Sequence, residues 1–227
     1  MIESNCLIEN IIFDLDGTLI DSVEDVAICL QKAYSMVCNI NEIKISRFDI
    51  GPPLYNMIKK LSPDLNEEQI ESIIAIFRNC YDSSDYNKTF LYSGVRELLI
   101  KLKEGNIKLF LATNKPIIPT KKIVKKLRIE YFLDIVTSDS EHVKMNKTEI
   151  IGHLIKKWNM DEEKTIMIGD TPSDVIASHN NSISSVALLK GYGDIKSLYD
   201  SKPTYTIEHI EDFFFMNIFN ERGQNHE

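Results

Sequence analysis

The chain has 227 residues, of which 43% are hydrophobic, and its formal net charge at pH 7 is -8. This length is enough for one large hydrophobic core, with or without a small second domain. The acidic balance argues against a nucleic-acid partner held by attraction to phosphates. It does not exclude a small phosphorylated substrate, because a local metal ion and a few backbone amides can outweigh the overall charge.

The cysteines and the first residues bear on cellular location. The four cysteines form no C-x-x-C pair and have no metal-ligand spacing, so we expect reduced, mostly buried thiols at Cys6, Cys29, Cys38 and Cys80. The N-terminal residues carry Glu3 and Glu9 without a basic start, which is not typical of a signal peptide. No apolar run approaches the length that crosses a membrane. We therefore expect a cytoplasmic protein without a membrane partner.

Two carboxylates follow the first predicted strand. Residues 11–13 are apolar and are predicted to form a strand buried on both faces, and Gly17 turns the chain. Side chains two residues apart in an extended segment leave on the same side, so Asp14 and Asp16 should both face the crevice at the strand's carboxyl end. Neighbouring carboxylates repel unless a cation or a shared proton relieves them. An ordinary Asp-Gly turn is the alternative, but the pair together with Thr18 favours a chemical role.

The segment 21–92 is predicted to contain helices and loops without a strand. Ser22 and Asp25 resemble a capping box at the start of its first helix, and Asn66 and Gln69 resemble one at the start of a later helix. Apolar residues recur at helical spacing after both boxes. The segment is therefore interpreted as a helical insertion.

The rest of the chain alternates between predicted strands and helices. The strands are expected at residues 108–113, 134–137, 165–169 and 183–189. The helices are expected at residues 94–104, 119–127, 146–158 and 171–178, with a last apolar helix at 212–219. Such alternation predicts an α/β fold with a parallel, doubly wound sheet.

Polar residues end two further strands at the same edge of this sheet. Thr113 and Asn114 offer a hydroxyl and an amide to a phosphoryl oxygen, although an ordinary Thr-Asn turn is the simpler interpretation of this pair alone. Asp170 and Asp174 could complete a shell of oxygen ligands for Mg²⁺. A capping box with Thr171 would also explain Asp174, and both roles can hold together. Asp170 has no such structural alternative.

Lys147 lies in the first turn of a predicted helix. A cation there opposes the helix dipole by about 0.3–1 kcal/mol, and this misfit indicates a functional role. An ammonium beside Asp14 and a transferring phosphoryl group would offset their negative charge. Lys144, three residues earlier, is the competing candidate.

These motifs together resemble the haloacid dehalogenase superfamily. Its first motif, D-x-D-G-T, matches residues 14–18, and its second, a Ser or Thr that ends an apolar strand, matches Thr113. Its fourth motif, G-D-x-x-x-D, matches residues 169–174. The third motif is a lysine, often followed by proline; this chain lacks the proline, and Lys147 is assigned from the helix that follows it.

The resemblance is closest to the phosphoglycolate phosphatase-like branch. The residues that resemble this branch are 19–22, 50–54 and 191–193. The resemblance implies a Rossmann-like α/β core of residues 1–20 and 93–227, with an α-helical cap inserted at 21–92. The branch includes phosphatases of phosphoglycolate, nucleoside monophosphates and pyrophosphate. The expected partner is thus a small phosphorylated substrate of unspecified identity, and the protein could be a monomer or a homodimer.

The resemblance also implies a mechanism. Asp14 would attack phosphorus and form an aspartyl-phosphate, and Asp16 would act as general acid and then as general base. Thr113 and Lys147 would complete the catalytic set. Mg²⁺ would be held by Asp14, the carbonyl of Asp16, Asp170 and Asp174. The substrate would contact Gly17, Thr18 and Asn114, and Arg47 in the cap is a further candidate contact, although a surface cation is the simpler interpretation of Arg47.

Three alternatives remain open or are disfavoured. A phosphomutase similar to β-phosphoglucomutase shares all four motifs and ranks second. A haloacid dehalogenase is disfavoured because that branch lacks the second aspartate, here Asp16. A regulator similar to receiver domains combines Asp, Thr and Lys on a parallel sheet, but it needs neither a cap nor a general acid.

Overall fold

The computed structural model describes residues 8–40, 42–132, 134–140 and 144–216. In chain order the strands are β1 (Asn10–Phe13), β2 (Ile20–Asp21), β3 (Phe90–Leu91), β4 (Lys108–Thr113), β5 (Asp134–Thr137), β6 (Thr165–Gly169), β7 (Ser184–Leu188) and β8 (Tyr205–Ile207). The α-helices are α1 (Val23–Cys38), α2 (Leu54–Leu61), α3 (Glu67–Asp82), α4 (Val95–Glu104), α5 (Ile117–Lys126), α6 (Lys147–Trp158), α7 (Pro172–Asn180) and α8 (Ile195–Asp200). Short 3-10 helices span Arg47–Asp49, Glu162–Lys164 and Ile210–Phe215.

The main sheet has the strand order β5-β4-β1-β6-β7-β8, and all of its pairs are parallel. The chain first builds outward from β1 through β4 to β5 and then crosses to β6 on the other side of β1. This reversal beside β1 is the place where doubly wound sheets bind ligands, at the carboxyl ends of the strands. The predicted α/β class with a doubly wound parallel sheet is confirmed.

Both faces of the central strands are buried. Register places Ile12 of β1 between Phe110 of β4 and Met167 of β6, and these three side chains are fully buried on one face. They pack with Ile150 and Ile151 of α6. Each such apolar side chain contributes about 1.5–3 kcal/mol on full burial, so this row fixes β1 and its carboxyl end between its two neighbours.

The segment between β2 and β3 carries α1, α2 and α3. The strands β2 and β3 pair antiparallel, with Ile20 opposite Leu91, so the chain leaves and re-enters the α/β part side by side. The expectation of no strand within 21–92 is therefore wrong at its two ends. Strands of two residues are too short to produce an alternating pattern. The division into a core and a cap at residues 20/21 and 92/93 stays a prediction.

The capping box predicted at Ser22 and Asp25 is also wrong. The Ser22 hydroxyl donates a hydrogen bond to Asp16 Oδ1 at 2.5 Å instead. The Asp25 carboxylate accepts hydrogen bonds from the Lys88 backbone N at 3.0 Å and from Thr89 Oγ1 at 2.6 Å. Both side chains thus have partners outside α1, and those of Asp25 are more than 60 residues away in sequence.

The capping box at Asn66 and Gln69 is confirmed by reciprocal hydrogen bonds of 2.9 and 3.1 Å. Near the C-terminus, the predicted helix at 212–219 is a 3-10 helix at Ile210–Phe215, and residues 217–219 lie outside the described residues. Strand β8 and helix α8 were not predicted, because three and six residues carry too little periodicity.

A disulfide joins Cys29 of α1 to Cys80 of α3, with a Cα–Cα distance of 5.7 Å. The expectation of reduced thiols is wrong for this pair. Cys38 is free and half-buried, and Cys6 lies outside the described residues. Disulfides are rare in reducing compartments, so the cytoplasmic location stays a prediction. Within the described ranges no helix has the length and apolarity needed to cross a membrane.

Candidate active site

The carboxyl ends of β1, β4 and β6 bring the predicted site residues together. Asp14 follows β1 directly and its backbone N donates to the Ile168 carbonyl of β6 at 2.9 Å. Thr113 ends β4, and Asp170 follows β6. All three side chains are buried, although they are polar. Their placement follows from the pairing register of the three strands.

Lys147, at the start of α6, forms the central ion pairs of the site. Its Nζ donates to Asp14 Oδ1 at 2.7 Å and to the Ala112 carbonyl at 3.0 Å, and it lies 2.9 Å from Asp174 Oδ1. Burial alone would lower the pKa of Lys147, but the two carboxylates outweigh burial and hold it above its ordinary value. Of the two candidate lysines, Lys147 therefore contacts Asp14, whereas Lys144 is exposed.

Three buried carboxylates cluster at this point, and two of them, Asp14 and Asp174, contact Lys147. One oxygen each from Asp14, Asp170 and Asp174 lies within 4.8 Å of the others. Burial raises the pKa of Asp14 to about 7, with repulsion from Asp174 adding to it and Lys147 opposing it. Burial and repulsion from Asp14 and Asp174 raise the pKa of Asp170 well above its ordinary value. A divalent cation fits this donor set, because it would neutralise the excess negative charge with oxygen ligands.

The loop after β7 orients Asp170. The backbone N of Tyr192 donates to Asp170 Oδ2 at 2.6 Å, and the Thr18 hydroxyl donates to Oδ1 at 2.9 Å. Gly17 has a φ of +83°, and a Cβ there would overlap the Asp170 carboxyl. The Tyr192 hydroxyl also accepts from the Ser22 backbone N at 2.8 Å. The sequence predicts no role for Tyr192, because residues 191–193 carry a family resemblance but no chemical motif.

Asp174 serves two structural purposes at once. Its Oδ2 accepts from the Thr171 backbone N at 3.0 Å and from Thr171 Oγ1 at 2.7 Å, which confirms the predicted capping box of α7. Its Oδ1 faces Lys147. The two hydrogen bonds of this capping box therefore fix the direction in which Asp174 Oδ1 points into the site.

Asp16 has two partners on one oxygen. Its Oδ1 accepts from Ser22 Oγ at 2.5 Å and lies 3.2 Å from Lys115 Nζ. The backbone N of Lys115 donates to Thr113 Oγ1 at 3.1 Å. Lys115 was missed because nothing in the sequence distinguishes it from the chain's many surface lysines, apart from its position just after Thr113 and Asn114.

The residues nearest the helical segment are less tightly grouped. Asn114 Nδ2 donates to the Gly51 carbonyl at 3.4 Å, so the loop before α2 lies against the end of β4. Arg47 is exposed, and its guanidinium lies 4.9 Å from the centre of the Phe48 ring. Burial raises the pKa of Tyr92, while the charge of Arg47 acts in the opposite direction. Arg47 is thus placed on the surface beside Phe48, outside the buried carboxylate cluster.

Several known proteins are similar to this chain over most of its length. Residues 11–188 match the family model of haloacid dehalogenase-like hydrolases. A phosphoglycolate phosphatase from Psychrobacter arcticus is 30% identical over 213 residues, which cover 89% of this chain and 91% of that protein. A 5'-nucleotidase from Pseudomonas aeruginosa is 27% identical and covers 86% and 89% of the two chains. A crystal structure from Clostridium difficile, 28% identical, gives a TM-score of 0.80 over 94% of this chain and 99% of that one.

Proposed function

The chain belongs to the haloacid dehalogenase-like hydrolase family, and we propose that it hydrolyses a small phosphorylated metabolite through an aspartyl-phosphate on Asp14. Within this family the chain is a phosphoric monoester hydrolase. The observation that carries the proposal is the buried contact of 2.7 Å between Lys147 and Asp14 at the end of β1, with Asp16 two residues further. A nucleophilic carboxylate can approach an anionic phosphoryl group only where positive charge offsets the repulsion.

In the first step, a carboxylate oxygen of Asp14 attacks phosphorus and the bond from phosphorus to the leaving oxygen breaks. Asp16 donates its proton to that oxygen, so the alcohol leaves in neutral form. The products of this step are the alcohol and the aspartyl-phosphate. Lys147 stays protonated and offsets the charge on Asp14 and on the phosphoryl oxygens.

In the second step, Asp16 removes a proton from a water molecule, whose oxygen attacks phosphorus. The bond between phosphorus and Asp14 breaks, and inorganic phosphate leaves. Asp16 ends protonated and Asp14 ionised, which is the state in which the cycle began. One residue thus serves as acid and base in alternate steps.

We propose Mg²⁺ as the divalent cation of the site. Asp14, Asp170 and Asp174, together with the carbonyl of Asp16, would hold it, and when bound it would neutralise charge on the phosphoryl oxygens. Thr18 and the Tyr192 backbone orient Asp170 for this purpose. The chain's own contribution is to keep three carboxylates buried and directed at one point.

The remaining phosphoryl oxygens are assigned to Thr113 and Asn114. Gly17 and Thr18 are expected only to line the site, because the Gly17 backbone N donates to the Ile20 carbonyl at 2.9 Å and the Thr18 hydroxyl donates to Asp170. The helical segment 21–92 is proposed to act as the cap that excludes water and selects the leaving group, with Arg47 as a candidate contact. The Asn114–Gly51 hydrogen bond supports this placement, because it brings the segment to the end of β4.

The test is the Mg²⁺-dependent release of phosphate from p-nitrophenyl phosphate. Asp14→Asn should abolish turnover, whereas the matched variant of an exposed aspartate, Asp64→Asn, should retain it. Full activity of Asp14→Asn would refute the assignment. A panel of phosphoglycolate, nucleoside monophosphates, pyrophosphate and hexose phosphates then identifies the substrate class. Isomerisation of a hexose phosphate without net phosphate release would favour the mutase instead.

A further inference from the structure

Lys115 is a second lysine at the site, and the mechanism above leaves it without a role. Its side chain is only 7% exposed, and its Nζ lies 3.2 Å from Asp16 Oδ1. The same Nζ donates to the Tyr81 hydroxyl at 2.9 Å and lies 4.5 Å from the centre of the Tyr81 ring. A cation this deeply buried is costly unless it is paired, and Lys115 is paired on both sides.

Tyr81 is held in place by its neighbours in the helical segment 21–92. It lies in the last turn of α3 and is buried, with its ring stacked on Phe77 at 5.2 Å and edge-on to Tyr86 at 5.2 Å. Aromatic contacts of this kind restrict the ring to one orientation. The Tyr81 hydroxyl is therefore a fixed acceptor for Lys115, contributed by a different part of the chain from Asp16.

The contacts on Asp16 are asymmetric. Ser22 Oγ and Lys115 Nζ both approach Oδ1, one from the start of α1 and the other from the end of β4. A carboxylate held on one oxygen from two directions has a fixed plane. Its second oxygen, Oδ2, is then the one that remains for the leaving group.

We propose that Lys115 is the positioning residue of Asp16: it holds Oδ1 and leaves Oδ2 for the leaving group, and Tyr81 anchors Lys115 from α3. The inference rests on the proposed function, because it requires Asp16 to be the general acid. It makes the acid dependent on contact between the helical segment and the sheet, since Tyr81 and Asp16 belong to the two different parts.

The experiment measures kcat/KM for a series of phosphate monoesters whose leaving groups increase in basicity, from p-nitrophenol to aliphatic alcohols. Basic leaving groups need the proton most, so Lys115→Met should lower kcat/KM for alkyl esters about 10- to 100-fold more than for p-nitrophenyl phosphate. Lys115→Arg, which keeps the charge, should restore most of the difference. Tyr81→Phe should cause a smaller change with the same dependence on the leaving group.

The matched control is Lys122→Met. Lys122 Nζ donates to the Asp82 carbonyl at 2.5 Å, so it also joins α5 to the end of α3 but lies on the exposed surface. It should show no dependence on the leaving group. A uniform loss over all esters in Lys115→Met and Tyr81→Phe, with melting temperatures close to wild type, would overturn the inference. If Lys115→Met does not fold, the Tyr81→Phe series decides in the same way.

Asp16→Asn separates this inference from the proposed function. It should show the steepest loss with leaving-group basicity of all the variants. A flat profile in Asp16→Asn would refute Asp16 as the acid and the proposed mechanism with it. A steep profile there beside a flat one in Lys115→Met would refute only the positioning role of Lys115.

Discussion

Replacing Asp14 with Asn should stabilise the metal-free protein at neutral and alkaline pH, although it should abolish turnover. The physical reason is burial of the carboxylate, which raises the pKa of Asp14 from 3.8 to about 7, with Asp174 adding repulsion and Lys147 opposing it. A rise of about three units corresponds to about 4 kcal/mol at 1.36 kcal/mol per unit. The Asn amide oxygen can still accept a hydrogen bond from Lys147, so the contact that holds α6 is kept.

The sign follows from linkage. Because the pKa of Asp14 is higher in the folded than in the unfolded state, its contribution to stability is present below pH 3.8 and is lost as pH rises through about 7. The wild type should lose this stability on going from acid to alkaline pH, and Asp14→Asn should not.

The assay is urea unfolding in the presence of EDTA at about pH 4 and about pH 8. The two proteins should have similar free energies of unfolding at the lower pH, and the variant should be more stable by up to about 4 kcal/mol at the higher pH. Mg²⁺ should then stabilise the wild type more than the variant. The reasoning is refuted if both proteins change equally with pH, or if the variant is the less stable one at about pH 8.

Three further predictions concern the same site. Lys147→Met leaves its two carboxylates unpaired and should cost about 3–5 kcal/mol in urea unfolding and at least about 100-fold in kcat; a change below 1 kcal/mol would contradict the role of this ion pair. Gly17→Ala places an L residue at a φ of +83° and should lower the free energy of unfolding by about 1–3 kcal/mol. Gly105→Ala, at a φ of -75°, should be nearly neutral in the same urea unfolding experiment. Asp170→Asn should remove most of the rise in melting temperature that Mg²⁺ causes in the wild type, and an unchanged rise would exclude Asp170 as a ligand.

The parts of the fold that were predictable are those in which local pattern and tertiary environment agree. Strands β4, β5 and β6 have the predicted bounds, because continuous apolar runs are typical of strands buried on both faces. The buried carboxylates Asp14 and Asp170 were predictable for a related reason: each directly follows such a run, so the sheet itself carries it to the carboxyl edge.

The parts that were not predictable depend on contacts between distant residues. Spacing alone left Lys147 and Lys144 open, and the choice was decided by how α6 packs beside β4. Lys115 was missed because its role requires Tyr81 from α3. The spacing predicts that Ser22 begins a capping box of α1. In the fold its hydroxyl donates instead to the Asp16 carboxylate, a charged acceptor within hydrogen-bond distance. In each case the sequence shows the residue but does not show which other residue it contacts in the fold.

The antiparallel pair β2–β3 has a consequence for how this chain could be altered. Because Ile20 lies opposite Leu91, the excursion through α1–α3 begins and ends at adjacent points of the backbone. The entropy of closing a loop grows only slowly with its length, so an excursion anchored in this way can be lengthened, shortened or exchanged at little cost to the sheet. We therefore expect that the segment can be exchanged while the register of β1 stays in place and, with the segment as the proposed cap, that substrate preference changes with it. The exchanged segment would have to keep Ser22 and Tyr81, because they hold Asp16 directly and through Lys115.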